Sequence, residues 1–208
     1  MPAAVPTAAP VTAPVTALVT ALVLAGGKAT RLGGVDKREL VVEGRTIFAR
    51  QCEVLGPRVA EILVSSPREV AGYRTVADAV PGAGPLAGIA AGLLAAATPW
   101  LLVVAGDMPY ISGALIDLVL SRIGDDIDAV GIRIGAMPEP LFCLLRVAAA
   151  RPALAARLAS GRLKASRLLT DGDLRVAWIS EADLRAIDPE LRGLFNVNEP
   201  SDLRPPRP

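Results

Sequence analysis

Nearly unbroken apolar runs recur along the chain, each followed by small or charged residues. Leu18–Leu24, Val59–Val64 and Leu101–Ala105 read as buried strands, with a shorter strand at Tyr73–Val76. Between them lie stretches of helical character. These are Thr46–Leu55, Leu86–Ala97 opened by Gly84-Pro85, and a segment running to about Arg122 from an N-cap at Ser112. Further strands are expected at Ala129–Ile134, Leu141–Leu145 and Val176–Ile179, and helices at Val147–Ala159 and Ser166–Leu169. Between Asp171 and Arg192 the pattern yields that last strand and otherwise polar connections. Strands that are apolar throughout have no face to give to water. Alternating with helices, they imply a mostly parallel sheet covered on both sides.

The first sixteen residues break this pattern. Pro2, Pro6, Pro10 and Pro14 recur every four residues and defeat both helix and sheet interior, so residues 1–16 read as a disordered tail and 17–204 as one domain. A signal peptide does not fit, because no Lys or Arg precedes the apolar run and prolines interrupt it. No stretch is long and apolar enough to predict a transmembrane helix.

Composition narrows the chemistry. The 22 Lys+Arg balance 21 Asp+Glu, so no basic surplus draws the chain to nucleic acid or an anionic membrane. Histidine is absent, which removes Ser–His–Asp and Cys–His catalysis and His-ligated zinc. Cys52 and Cys143 are too few for a disulfide framework or a metal cluster and read as free thiols in a reducing compartment. With only three lysines in the chain, each one is informative.

Ligands of parallel α/β sheets bind beyond the carboxyl ends of strands. The strand ends here carry Ala25-Gly26-Gly27, Ser65-Ser66, Asp78 and Gly106-Asp107. Small residues and carboxylates at all four ends point to one shared site. The segment LVLAGGKATRLGGVDK fits neither G-x-G-x-x-G nor the Walker A pattern. It nevertheless supplies glycines for close backbone approach, amides for an anion nest, and Arg31 and Lys37 as cations for phosphate oxygens. Asp107, at the end of an apolar strand, suits Mg2+ held by one carboxylate, with phosphates and water completing the octahedron. Asn196 and Asn198, two apart in an extended segment, point the same way and could grip a ligand with their amides.

Taken in order, LAGGKATRLGGVDK, TVAD, GPLAGI, GDMPYI, EPLFCLL and NVNEPSDL resemble the molybdenum cofactor guanylyltransferase family, over roughly Leu22 to Leu203. The resemblance implies a three-layer α/β/α sandwich with a Rossmann-like, mostly parallel central sheet. It also implies Mg2+-dependent transfer of GMP from GTP to molybdopterin, with release of pyrophosphate. By position, Leu24, Ala25, Gly26 and Gly27 line the nucleotide site and Arg31 and Lys37 hold the triphosphate. Asp78 contacts the nucleoside, and Asp107 binds nucleotide and Mg2+. Ser65 stands where relatives can carry an asparagine that contacts the nucleotide, and Asn196 and Asn198 fall near the molybdopterin. Arg31, Lys37 and Asp107 are the expected catalytic groups. Related cytidylyltransferases resemble L-A-A-G at the loop start. Gly26 removes one Cβ there, which favours the bulkier guanine. A cytoplasmic monomer is expected, in transient contact with other cofactor-biosynthesis proteins or apo-molybdoenzymes. The alternatives are a CTP-using enzyme of the same fold, acting on molybdopterin or a sugar phosphate, and a silent nucleotide-binding module. A dehydrogenase ranks last, for want of the glycine fingerprint.

Overall fold

The computed structural model describes residues 14–25, 39–78, 80, 82–198 and 202. The elements run β1 (Val19–Leu24), β2 (Val41–Val42), β3 (Arg45–Thr46), α1 (Ile47–Leu55), β4 (Glu61–Ser65), β5 (Arg74–Val76) and α2 (Pro85–Ala95). They continue with β6 (Trp100–Ala105), α3 (Gly113–Leu120), β7 (Ala129–Ile134), β8 (Met137–Arg146), α4 (Val147–Ala159), β9 (Val176–Ile179) and α5 (Glu181–Arg185). Seven strands form one sheet in the order β5-β4-β1-β6-β8-β7-β9. Within this sheet, among the described residues, β8 alone runs antiparallel to the other strands, pairing with β6 and β7. A two-stranded hairpin, β2-β3, stands apart.

The sheet is buried on both faces, as the apolar runs require. Val19, Ala21 and Val23 of β1, Trp100, Leu102 and Val104 of β6, and Phe142 and Leu144 of β8 share one core with Leu55 of α1, Ile116 of α3 and Leu184 of α5. The alternate residues Leu22, Leu101, Val103, Cys143 and Leu145 share the other core with Leu86 and Ile89 of α2 and Ala150 and Leu154 of α4. Period-two alternation thus divides each strand between two helical layers, giving the expected three-layer sandwich.

Local chemistry sets the helix starts. Thr46 accepts from Ala49 N at 3.1 Å and Ser112 accepts from Leu115 N at 3.2 Å, each satisfying an otherwise orphaned amide. Pro85 stands at the first helical turn of α2, where its missing N–H costs nothing. In α4 the guanidinium of Arg157 is buried and bonds Asp171 at 2.8 Å and Asp173 at 3.0 Å, pinning the connection to β9.

Several expectations need correction. Ser166–Leu169 does not make an α-helix; a single 3-10 turn covers Ala165–Arg167. The strand expected at Leu141–Leu145 extends over Met137–Arg146. Within the stretch 171–192, a short helix α5 opens with a capping box between Ser180 and Asp183. Of the proline-rich tail, the described part shows Val15–Leu18 in a 3-10 turn, and residues 1–13 lie outside the described residues.

Candidate active site

The chain leaves β1 for β4 and β5 on one side and returns to β6 on the other. Such a reversal opens a crevice beyond the carboxyl end of the central strand. Backbone bonds lace the three strand ends together there. Ala25 N donates to Ser65 O at 3.0 Å, and Gly106 N donates to Leu24 O at 3.0 Å. The approach is too close for a side chain: a Cβ on Gly106 would stand 2.6 Å from Leu24 O. On α2, a Cβ on Gly88 would stand 2.5 Å from Ser65 Oγ and 3.0 Å from Leu24 Cδ2. The small residues of GPLAGI therefore let α2 lie directly on the floor of the crevice.

The buried hydroxyl of Ser65 donates to Asp78 Oδ1 at 3.2 Å, joining the ends of β4 and β5. Asp107 follows β6, half-buried. Its carbonyl accepts from Val197 N at 2.8 Å, which brings the C-terminal segment to the same loop. Val197 is buried with Val42 and Ile47, while Asn196 is half-buried and Asn198 exposed. The asparagine amides make local bonds: Asn196 Nδ2 donates to Leu194 O at 3.3 Å and Asn198 Nδ2 to Asn196 O at 3.4 Å.

Leu24, Ala25, Ser65, Asp78 and Asp107 thus meet at the carboxyl ends of neighbouring strands, with Asn196 and Asn198 tethered beside Asp107. Gly26, Gly27, Arg31 and Lys37 lie outside the described residues.

Two further residues support the Asp107 loop and were not singled out from sequence. Gln51 of α1, 1% exposed, donates through Nε2 to Ala105 O at 2.8 Å and Met108 O at 3.1 Å. Arg50 donates to Pro109 O at 2.9 Å, and its guanidinium lies 5.5 Å from the ring centroid of Tyr110. Glu139, on the antiparallel strand β8, reaches the same end of the sheet, since Phe142 pairs with Val104. Burial pushes its carboxyl up from the usual range, and the charge of Asp107 adds to that rise. Glu139 opens the segment EPLFCLL, ahead of the strand that the apolar pattern predicts at Leu141–Leu145.

A hard divalent cation fits this donor set. Among the described residues no group of three or more metal-ligating side chains exists. Mg2+ characteristically takes one or two carboxylates and completes its shell with phosphates and water. The cysteines are free; burial raises the Cys143 thiol to about 12 and raises Cys52 also, so both stay protonated. Among the described residues no helix is long and apolar enough to cross a membrane.

Residues 21–176 match the MobA-like NTP transferase domain. The chain is 31% identical over 184 residues to a molybdenum cofactor guanylyltransferase of Desulfosudis oleivorans, covering 86% of this chain and 90% of that protein. It is 35% identical over 184 residues to a probable molybdenum cofactor guanylyltransferase of Pelotomaculum thermopropionicum, covering 86% and 87%. Among solved structures, molybdopterin-guanine dinucleotide biosynthesis protein A of Archaeoglobus fulgidus superposes with a TM-score of 0.73 at 26% identity, covering 88% of this chain and 94% of that one.

Proposed function

The chain belongs to the MobA-like NTP transferase family, and from that premise we propose that it transfers GMP from GTP to molybdopterin, releasing pyrophosphate. The observation that carries this reading is the convergence of Leu24, the Ser65–Asp78 pair and Asp107 on one crevice, with the 196–198 segment bonded to the Asp107 loop.

In this reading the nucleotide lies across the ends of β1, β4 and β5, with Ala25, Gly26 and Gly27 against its phosphates. Asp78, steadied by Ser65, meets the nucleoside, and Arg31 and Lys37 hold the triphosphate. Asp107 holds Mg2+, with Glu139 close by. When bound, Mg2+ neutralises phosphate charge and favours departure of pyrophosphate. An oxygen of the acceptor's phosphate monoester attacks the α-phosphorus of GTP. One P–O bond forms as the α–β bridging bond breaks, and the electron pair leaves with pyrophosphate. The nucleophile is already anionic, so a chain without histidine lacks nothing the step requires. The protein contributes position and charge rather than covalent chemistry. Asn196 and Asn198 stand on the acceptor side, and the setting is a cytoplasmic monomer that hands its product to other proteins.

The deciding experiment measures pyrophosphate release with Mg2+ and molybdopterin, with GTP and CTP in parallel. Release with GTP and formation of the guanine dinucleotide is the expected result. Release with CTP alone would overturn the base assignment made at Gly26. Release with neither, from folded protein, would overturn the activity.

A further inference from the structure

Beyond Asp107, away from the nucleotide side, lies a cavity of about 460 Å³. Ile134, Leu191 and Leu194 give it apolar walls, Tyr110 and Phe195 give it aromatic ones, and Arg192 is its cation. Ile134 ends β7, and β7 points the same way as β6, because each is antiparallel to the β8 strand between them. The cavity therefore opens at the same end of the sheet as Asp107, two strand spacings or about 10 Å along.

Its aromatic content is concentrated. The whole chain has three Phe, two Tyr and two Trp, so a pair of rings at this one cavity is a marked enrichment. The Tyr110 and Phe195 rings lie 6.2 Å apart and tilted by 46°. Phe195 is 39% exposed, leaving a ring face for a ligand. The Arg192 guanidinium lies over the Tyr110 ring, 4.8 Å from its centroid. A delocalised cation beside the exposed Phe195 face, with the Glu190 and Asp202 carboxylates on the same cavity, suits a flat heteroaromatic ring with a polar edge better than an aliphatic chain.

The cavity is pre-formed and tied to the reaction centre. Asp188 accepts from Gly193 N at 2.7 Å and from Leu191 N at 3.0 Å, which fixes the turn carrying Arg192. Leu191 holds a left-handed φ of 55°, an uncommon conformation for a leucine, so the turn is held in shape rather than relaxed. Tyr110 comes from the loop of Asp107, and Phe195 is two residues before Val197, whose N–H bonds the Asp107 carbonyl.

We propose that this cavity receives the pterin ring system of the acceptor, stacked on Phe195 with Arg192 against its polar edge. The inference rests on the activity proposed above and adds to it the residues that choose the acceptor. A ring held in this cavity, whose far wall at Ile134 lies about 10 Å along the sheet from the Asp107 strand, leaves its phosphate ester free to reach the α-phosphorus at the metal end. Phe195 and Arg192 are then specificity-determining residues for the acceptor and have no part in binding GTP.

The test uses the full chain and its Phe195→Ala, Phe195→Leu and Arg192→Gln variants. Molybdopterin binding is followed anaerobically by its pterin fluorescence, and GTP binding by calorimetry. The expected result is at least tenfold weaker pterin binding in Phe195→Ala and Arg192→Gln, a smaller loss in Phe195→Leu, and GTP affinity within twofold of the parent. Parent-like pterin affinity in both Phe195→Ala and Arg192→Gln overturns the proposal. So does an equal loss of GTP affinity, or a parent chain that binds no pterin. The activity itself is read separately, from dinucleotide formed by the parent. A parent that forms dinucleotide alongside variants of unchanged acceptor KM removes this pocket and leaves the activity standing. A parent that binds the pterin without forming dinucleotide removes the activity and leaves the pocket to be judged by its variants.

Discussion

The Ser65 hydroxyl donates to Asp78 Oδ1 at 3.2 Å, so the end of one strand aims the carboxylate that follows the next. Asp78 is exposed, whereas Ser65 is only 2% exposed and is overlain by Gly88 of α2. The buried partner is rigid, and its bond restricts a carboxylate that would otherwise sample several rotamers.

Ser65→Ala should therefore act on nucleotide binding more than on turnover. The lost bond is worth about 1 kcal/mol, or roughly fivefold in affinity. The expected outcome is a rise of that order in KM for GTP, with kcat and melting temperature nearly unchanged. Steady-state kinetics with GTP varied at saturating acceptor would check it. An equal fall in kcat would mean that Asp78 acts in the transition state as well.

Gln51 gives a contrasting case, because it holds a loop rather than a side chain. Its two bonds, to Ala105 O and Met108 O, flank Asp107. Gln51→Met keeps most of the volume but strands both carbonyls, at a cost of about 2 kcal/mol. Both stability and kcat should fall, and the Mg2+ concentration for half-maximal activity should rise. Chemical denaturation and a Mg2+ titration of the same variant would measure these. A stability loss with unchanged Mg2+ dependence would confine Gln51 to the core.

Burial raises the cost of charging Glu139, and the neighbouring charge of Asp107 adds to it. A divalent cation relieves that repulsion, so Glu139→Gln should weaken Mg2+ activation by on the order of tenfold. Without metal the variant should melt no lower than the parent, since it loses a repulsion. Mg2+ titration of activity, paired with thermal melts in chelator, would separate the two effects. Unchanged activation would remove Glu139 from the metal's surroundings.

What the sequence revealed and what it hid divide along physical lines. Strands β1, β6, β7 and β9 were legible because apolar runs bounded by turns leave few other interpretations, and α3 because Ser112 is a strong cap. The first half of β8 was not, since Pro138 and Pro140 argue against a strand and its residues are only partly buried. Its antiparallel direction was hidden too, because burial on both faces looks alike in either orientation. Strands of two residues, as in β2 and β3, offer no period to detect. Helix α5, at five residues, is also short, although Ser180 and Asp183 carried the capping signal. Of the candidate site, Asp78 and Asp107 were legible because each comes two residues after a strand. Gln51 and Glu139 were not, because their reach to the Asp107 loop depends on tertiary packing of α1 and β8 that no local spacing encodes.

The opposite end of the sheet carries the clearest pH signature. Asp128, just before β7, accepts from Arg175 Nε at 2.8 Å, Nη2 at 3.0 Å and the Arg175 amide at 3.1 Å, clasping the start of β9. The Arg175 guanidinium holds the Asp128 carboxyl down at about 2 against an ordinary value of 3.8. Between those two values the unfolded chain binds more protons at this group than the folded one. The stabilising contribution is thus complete above the ordinary value and drains away as pH falls through the range from 3.8 to about 2. Arg175→Gln removes the guanidinium and with it most of the depression. The melting temperature of Arg175→Gln should lie below the parent's at pH 6, and the gap should narrow as pH falls from 4 toward 2 (about where the carboxyl protonates). Catalysis at the other end of the sheet should be unaffected at neutral pH. Melts of the two proteins across that range would check it, and a gap that stayed constant with pH would show that Arg175 stabilises by packing rather than by charge.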